Sequence, residues 1–241
     1  MCADETAGSA GPINRTLYGR RKGKKLRSHQ AGLVSQTLPQ LSIDCSKPVE
    51  IAALFSEERD DFRMEIGFGG AEHLVHEADR QRDIGYIGCE PFINGVAKLL
   101  SQIEDRGLTN IRLHHGDARD VLLRLPDASL SRVDVLYPDP WPKWRQRKRR
   151  FLSEQNIAEI GRVLKPGSVF RFATDIDDYA GWVLARILKS SVWTWQEAQT
   201  GMRPWQKAWD HWPGTRYEAK AFREGRKPVY LTFIKNQSPA P

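Results

Sequence analysis

The run Phe62-Arg-Met-Glu-Ile-Gly-Phe-Gly-Gly70 begins as a short apolar strand and breaks into glycine; behind it Ala71, Leu74, Val75 and Ala78 recur at i, i+3, i+4 and i+7. A strand that turns through glycine into helical spacing reads as one βα unit. The beat repeats along the chain. Ile84 to Cys89 is a second strand closed by Glu90, and Pro91 opens a helix whose apolar face (Val96, Leu99, Leu100, Ile103) runs to a stop at Gly107. Ile111 to His115 is a third strand, with Asp117 capping a helix through Leu125. Val133 to Tyr137 is a fourth, ending in Pro138-Asp139-Pro140-Trp141. A helix carrying Ile157, Ile160, Val163 and Leu164 then stops at Pro166-Gly167. A strand over Val169 to Thr174, a helix over Tyr179 to Leu188 and a last alternating strand over Val229 to Ile234 follow. Such a succession predicts an α/β fold on a doubly wound, mostly parallel sheet, with ligands at the carboxyl ends of its strands.

At about 150 residues per domain, a chain of 241 is one domain with extensions. Lys and Arg number 37 against 30 Asp and Glu, a net charge of +7. That charge is concentrated. Residues 1–45 carry +4 and residues 143–150 carry +6, which leaves −3 for the remainder. Two basic segments on an acidic body suit a polyanion, and both are interleaved with aromatics: Tyr18 in the first, Trp141, Trp144 and Phe151 around the second. Residues 1–45 read as a basic arm, disordered over 1–14, ahead of a single domain over 46–241. No apolar run approaches the roughly 18 residues of a membrane span, and no apolar signal core opens the chain, so no membrane association is expected. Cys2, Cys45 and Cys89 are scattered and form no CxxC pair, which excludes a disulfide framework or zinc ribbon and fits a reduced, cytoplasmic setting.

The chemistry gathers at the predicted strand ends. Glycines 67, 69 and 70 let the backbone pass close to a ligand. A dinucleotide fingerprint would place its last glycine where Glu72 stands, and an acid there repels a pyrophosphate, so a dehydrogenase is disfavoured. S-adenosylmethionine, a cation without phosphate, suits the acids instead. Glu65 is placed to hold the methionine ammonium, Glu90 the ribose hydroxyls and Asp117 the adenine amino group. The prolines around Asp139 fix the backbone and point its carboxylate out of the sheet beside the cofactor methyl, with Lys143 and Arg145 to Arg150 following at once to grip phosphate.

Together with Gly88-Cys-Glu90, Gly116-Asp-Ala118, Lys148-Arg-Arg150, Ala173-Thr-Asp175 and Thr215-Arg-Tyr-Glu218, these motifs resemble the bacterial tRNA (guanine-N7)-methyltransferase family, in the same order from about residue 15 to 235. The resemblance implies a seven-stranded Rossmann-like methyltransferase sheet, S-adenosyl-L-methionine as cofactor and tRNA as partner. It further implies methylation of N7 of guanosine 46 in the tRNA variable loop, with no obligatory protein partner, by a monomer or homodimer. Carried over by position, Glu65, Gly67, Gly69, Glu90, Asp117 and Asp139 meet the cofactor, with Asp139 at the reaction centre. Lys143, Asp175, Thr215, Arg216, Tyr217 and Glu218 meet the substrate, and Arg145, Arg147, Lys148, Arg149 and Arg150 the RNA. Two positions depart from the family pattern: Ala71 where many members have glycine, and Pro142 where a histidine is common.

N7 already presents a lone pair, so Asp139 and Asp175 are expected to position and stabilise charge rather than to act as bases. No metal is expected, since His73 and His76 stand three apart with no third ligand in view. Two other functions fit part of the pattern. One is an exocyclic-amine methyltransferase, whose Asn/Asp-Pro-Pro-aromatic signature Pro138-Asp139-Pro140-Trp141 narrowly misses; the other is an RNA-binding module on a decayed methyltransferase fold, against which the intact acids speak.

Overall fold

The protein is described by a computed structural model covering residues 16–196 and 204–237; the disorder expected over 1–14 lies outside the described residues. Seven strands form one sheet: β1 (Asp61–Ile66), β2 (Ile84–Cys89), β3 (Ile111–His114), β4 (Leu130–Leu136), β5 (Leu164–Thr174), β6 (Trp193–Trp195) and β7 (Val229–Lys235). Their order is β3-β2-β1-β4-β5-β7-β6, and β7 alone runs against its neighbours. Helices α1 (Ser28–Gln36), α2 (Leu38–Leu41), α3 (Glu72–Arg80), α4 (Ile93–Arg106), α5 (Ala118–Leu122), α6 (Glu154–Val163), α7 (Asp177–Ile187) and α8 (Arg216–Arg223) complete it. Period-2 alternation puts Met64, Ile66, Val133, Val135, Phe170 and Phe172 into one buried core with α6 and α7. A second core joins Phe68, Leu74, Leu99, Leu100 and Leu113 on the α3–α4 side.

The boundaries differ from the expected ones for identifiable reasons. Pro91 lies ahead of α4, which starts at Ile93 behind Phe92, because the Glu90 carboxylate accepts the Phe92 N–H at 2.8 Å and holds the turn open. The helix expected to run to Pro166 ends at Val163, since Leu164 already pairs with Leu130 and the strand passes through Pro166 and Gly167. The arm is also shorter than 45 residues. Helices α1 and α2 bury Leu33 and Leu38 in the second core, and Ser42 forms a parallel bridge to Leu113 with Ile43 N–H donating to the Leu113 carbonyl at 2.8 Å. Residues 16–27 form the long stretch outside regular structure among the arm's described residues, with Thr37 and 43–45 as short breaks after it.

One face of the sheet is not apolar at its centre. Glu65, Asp134, Arg171 and Thr232 stand side by side on β1, β4, β5 and β7. Arg132 on the same face pairs with Asp134 at 2.8 Å and with Glu77 of α3 at 2.7 Å, and all three are buried. Burial opposes ionisation of Glu77, but the Arg132 charge and hydrogen bond prevail and draw its carboxyl down to about 2.

Candidate active site

The fourth strand end carries visible strain. Tyr137 and Trp141 both adopt left-handed backbone, at φ 50° and 42°, on either side of Pro138-Asp139-Pro140. Bulky residues rarely accept that conformation, and a pair bracketing one carboxylate marks a loop held by its surroundings. The support is Arg150. Expected to grip RNA, it is instead 2% exposed, donates to the Pro140 carbonyl at 2.8 Å, pairs with Asp178, and lies over the Tyr179 ring at 4.7 Å. A guanidinium at the base of this loop is fixed by aromatic packing, so Arg150 builds the site and leaves phosphate to its neighbours. Asp139 itself opens into a cleft, where the surrounding protein desolvates its carboxyl and raises its pKa above the ordinary value.

That cleft, about 460 Å³, lies at the carboxyl ends of β1, β2, β3 and β4. Gly67 has φ +75° and open space where a Cβ would stand, which keeps the loop floor clear for a ligand. Gly69, at φ +54°, donates its N–H to Glu90 at 2.7 Å, and the Tyr217 ring approaches to 3.1 Å of where its Cβ would be. Burial raises the Glu90 carboxyl against the opposing backbone hydrogen bonds. Asp117 caps α5 through the Arg119 N–H at 3.0 Å and also takes the Arg119 guanidinium. Ala71, the family-pattern departure, sits at φ 66° and is fully buried, so the missing glycine appears as backbone strain at the head of α3.

The cleft is roofed by Thr16 to Arg20 of the arm. The Arg149 guanidinium lies 4.9 Å from the Tyr18 ring and 5.0 Å from the Trp141 ring, and a Cβ on Gly19 would stand 3.3 Å from an Asp139 oxygen. Glu65 is placed differently from the other acids. It is buried behind the loop, 2.7 Å from His73 Nδ1, and forms no part of the cleft wall. Burial pushes the Glu65 carboxyl up, while His73, although desolvation opposes its protonation, is raised by the acid beside it.

The Thr215-Arg-Tyr-Glu218 motif divides its labour. The Thr215 hydroxyl accepts the Glu218 N–H at 3.1 Å and the Glu218 carboxylate accepts the Thr215 N–H at 3.3 Å, a reciprocal cap on α8. Glu218 is buried and also takes Trp212 Nε1 at 3.0 Å and the Tyr230 hydroxyl. The pair so fixed presents Arg216 and Tyr217 to the cleft. Asp175 lies outside the cleft wall and is held by Arg226 at 2.6 Å. Lys143, Arg145 and Lys148 are exposed, Lys148 on the cleft wall; Arg147 is tied to Asp178 at 2.6 Å.

Residues 60–231 match a family model described as "Putative methyltransferase". A protein of Brucella anthropi named tRNA (guanine-N(7)-)-methyltransferase is 51% identical over 221 residues, 91% of this chain and 94% of its own length. One of the same name from Rhodopseudomonas palustris is 48% identical over 236 residues, 97% of this chain and 94% of its own. The chain belongs to the tRNA (guanine-N7)-methyltransferase family. A 16S rRNA methyltransferase, KamB, shares the fold at a TM-score of 0.52 and 16% identity, covering 75% of this chain and 90% of that one. This family member is an S-adenosylmethionine-dependent methyltransferase, and its residues suit that cofactor. Glu72, first in α3, pairs with Arg216 at 2.9 Å where a dinucleotide would need its phosphates, and carboxylates stand at successive strand ends. In this methyltransferase the residues whose roles the sequence reading missed are Arg119, His73 as the partner of Glu65, and the roof over Asp139. Of these only Tyr18 had marked itself, as an aromatic among cations.

Proposed function

We propose that this methyltransferase transfers the methyl group of S-adenosyl-L-methionine to N7 of guanosine 46 in the tRNA variable loop. The observation that carries the reading is Asp139, braced by strained and proline-fixed backbone between an acid-lined glycine cleft and a mouth of exposed cations. Gly67, Gly69, Glu90 and Asp117 hold the cofactor, with Glu65 contributing charge from behind the loop. When bound, the cofactor supplies an electrophilic methyl group on a sulfonium. Guanine N7 brings its own lone pair, so no residue here needs to remove a proton. Asp139 offsets the positive charge that settles on the base, from a position fixed before the reaction begins. Arg216 and Tyr217 orient the substrate beside the loop, with Thr215 and Glu218 holding them in place and Asp175 acting from the neighbouring strand end. Lys143, Arg145, Lys148 and Arg149 contact phosphates. The setting is the cytoplasm, with tRNA as partner, no obligatory protein partner, and a monomer or homodimer as the acting form.

Nucleoside mass spectrometry of unmodified tRNA incubated with protein and cofactor tests this directly. The product should be a fixed cation whose chain breaks with aniline after reduction. Methylated tRNA that survives that treatment intact would replace N7 by an exocyclic amine.

A further inference from the structure

Trp144 is 79% exposed, the most exposed of the large apolar side chains among the described residues. It opens the 3-10 turn Trp144–Arg149 within the basic run, between exposed Lys143 and Arg145. A lone exposed apolar side chain is common on protein surfaces, so what distinguishes this ring is its setting among cations. Its surroundings are ordered. Arg147 lies 5.2 Å from its ring centroid and is itself fixed by Asp178 at 2.6 Å, and Asp178 also holds the buried Arg150 that braces the Asp139 loop. One side of the ring is thus backed by a guanidinium tied to the core, while most of the side chain faces solvent. A flat π-surface backed by one cation and flanked by two more matches a nucleic-acid base with its phosphates, because base–aromatic stacking tolerates any base and cations track the backbone. An apolar protein surface would not match: burying it here would strand Lys143 and Arg145 without partners.

We propose that Trp144 is a stacking platform for an unpaired base of the RNA substrate, standing at the cleft mouth apart from the reacting guanine. The proposal rests on tRNA being the substrate. Placed on the turn that Arg150, the Asp139 brace, caps, the platform sets the reach between the stacked base and the methylated one, and so contributes to the choice of site.

Trp144→Ala and Trp144→Phe separate stacking from bulk charge. In Trp144→Ala the Kd for tRNA should rise about tenfold, the scale of losing one stacked base, with Trp144→Phe recovering most of it. Because no cation is lost, the slope of log Kd against log salt should stay unchanged, whereas Arg145→Gln or Lys148→Gln should each reduce it by about 0.7–0.9. Cofactor affinity and Tm should hold in both Trp144 variants. Quenching on tRNA addition should shrink when Trp144 is replaced by Phe. An unchanged Kd in Trp144→Ala, or equal losses in the Ala and Phe variants, overturns the platform. So does a shift in sedimentation on substitution without tRNA, which would assign the ring to contact between copies. If wild-type protein methylates tRNA while Trp144→Ala binds it equally well, the platform alone fails; if wild-type protein does not act on tRNA, the function beneath it fails.

Discussion

The chemistry proposed for the cleft turns on Asp139, and that role can be tested by rate and pH together. Asp139→Ala should lower kcat by about 10²–10³, the size of losing one preorganised charge, and leave Tm nearly unchanged because the carboxylate opens into the cleft. A variant with full turnover removes it from the reaction. The pH profile adds a sign. Desolvation raises the Asp139 carboxyl, so the ionised form is lost on acidification at a higher pH than for a free aspartate. With no proton to abstract from N7, the rate at saturating substrate should stay flat from about pH 6.5 to 9, with one acid limb below it. A rising alkaline limb would betray a general base. Asp139 stood out in the sequence because the prolines on either side fix its backbone at a predicted strand end, and the structure places it on the cleft wall. Arg150 was misleading for an equally physical reason: a guanidinium in a basic run reads as exposed until Tyr179 and Trp182 are seen to enclose it.

At the scale of elements, α8 is the device that delivers Arg216 and Tyr217. Its cap is self-contained, so Thr215→Ala should cost about 1 kcal/mol of stability, measured by denaturant melts, and should raise KM for tRNA more than it lowers kcat. Unchanged KM would detach the motif from substrate binding. The basic turn makes a complementary prediction: neutralising Arg145, Lys148 and Arg149 together should weaken tRNA binding and flatten its salt dependence, with cofactor affinity retained. A retained salt slope would make these solvated surface charges. The strand-turn-helix units were readable because hydrophobic period and glycine agreed within each. Helix α8, with cations at Lys220 and Arg223 and a buried acid at Glu218, offered no apolar stripe to read. Strand β6 is three residues long and owes its existence to pairing with β7. Helices α1 and α2 were masked by the lysines and arginines just ahead of them, although Leu33 and Leu38 are what anchors them.

For the molecule as a whole, the buried polar row beneath α3 links stability to pH. The Glu77 carboxyl is held at about 2 in the fold against an ordinary 4.5, so its contribution is complete above about pH 5 and is lost as pH falls toward 2. Glu77→Gln should lower Tm at neutral pH and flatten the acid limb of Tm against pH; an unaltered limb would show that other carboxylates carry it. The bridge from Ser42 to Leu113 has a different consequence. An open sheet ends in two rows of unpaired amides and carbonyls, which invite strands from other chains. Here one margin, β6, is too short to serve as a template, and the other, β3, is covered where Ser42 and Ile43 run alongside it. The basic segment that begins over the cleft therefore ends as cover for the β3 margin. Removing residues 1–27 should leave a monodisperse protein, while removing 1–45 should uncover the β3 margin and the seat of Leu33, and light scattering should show the second sample associating on warming well below the melting point of the first.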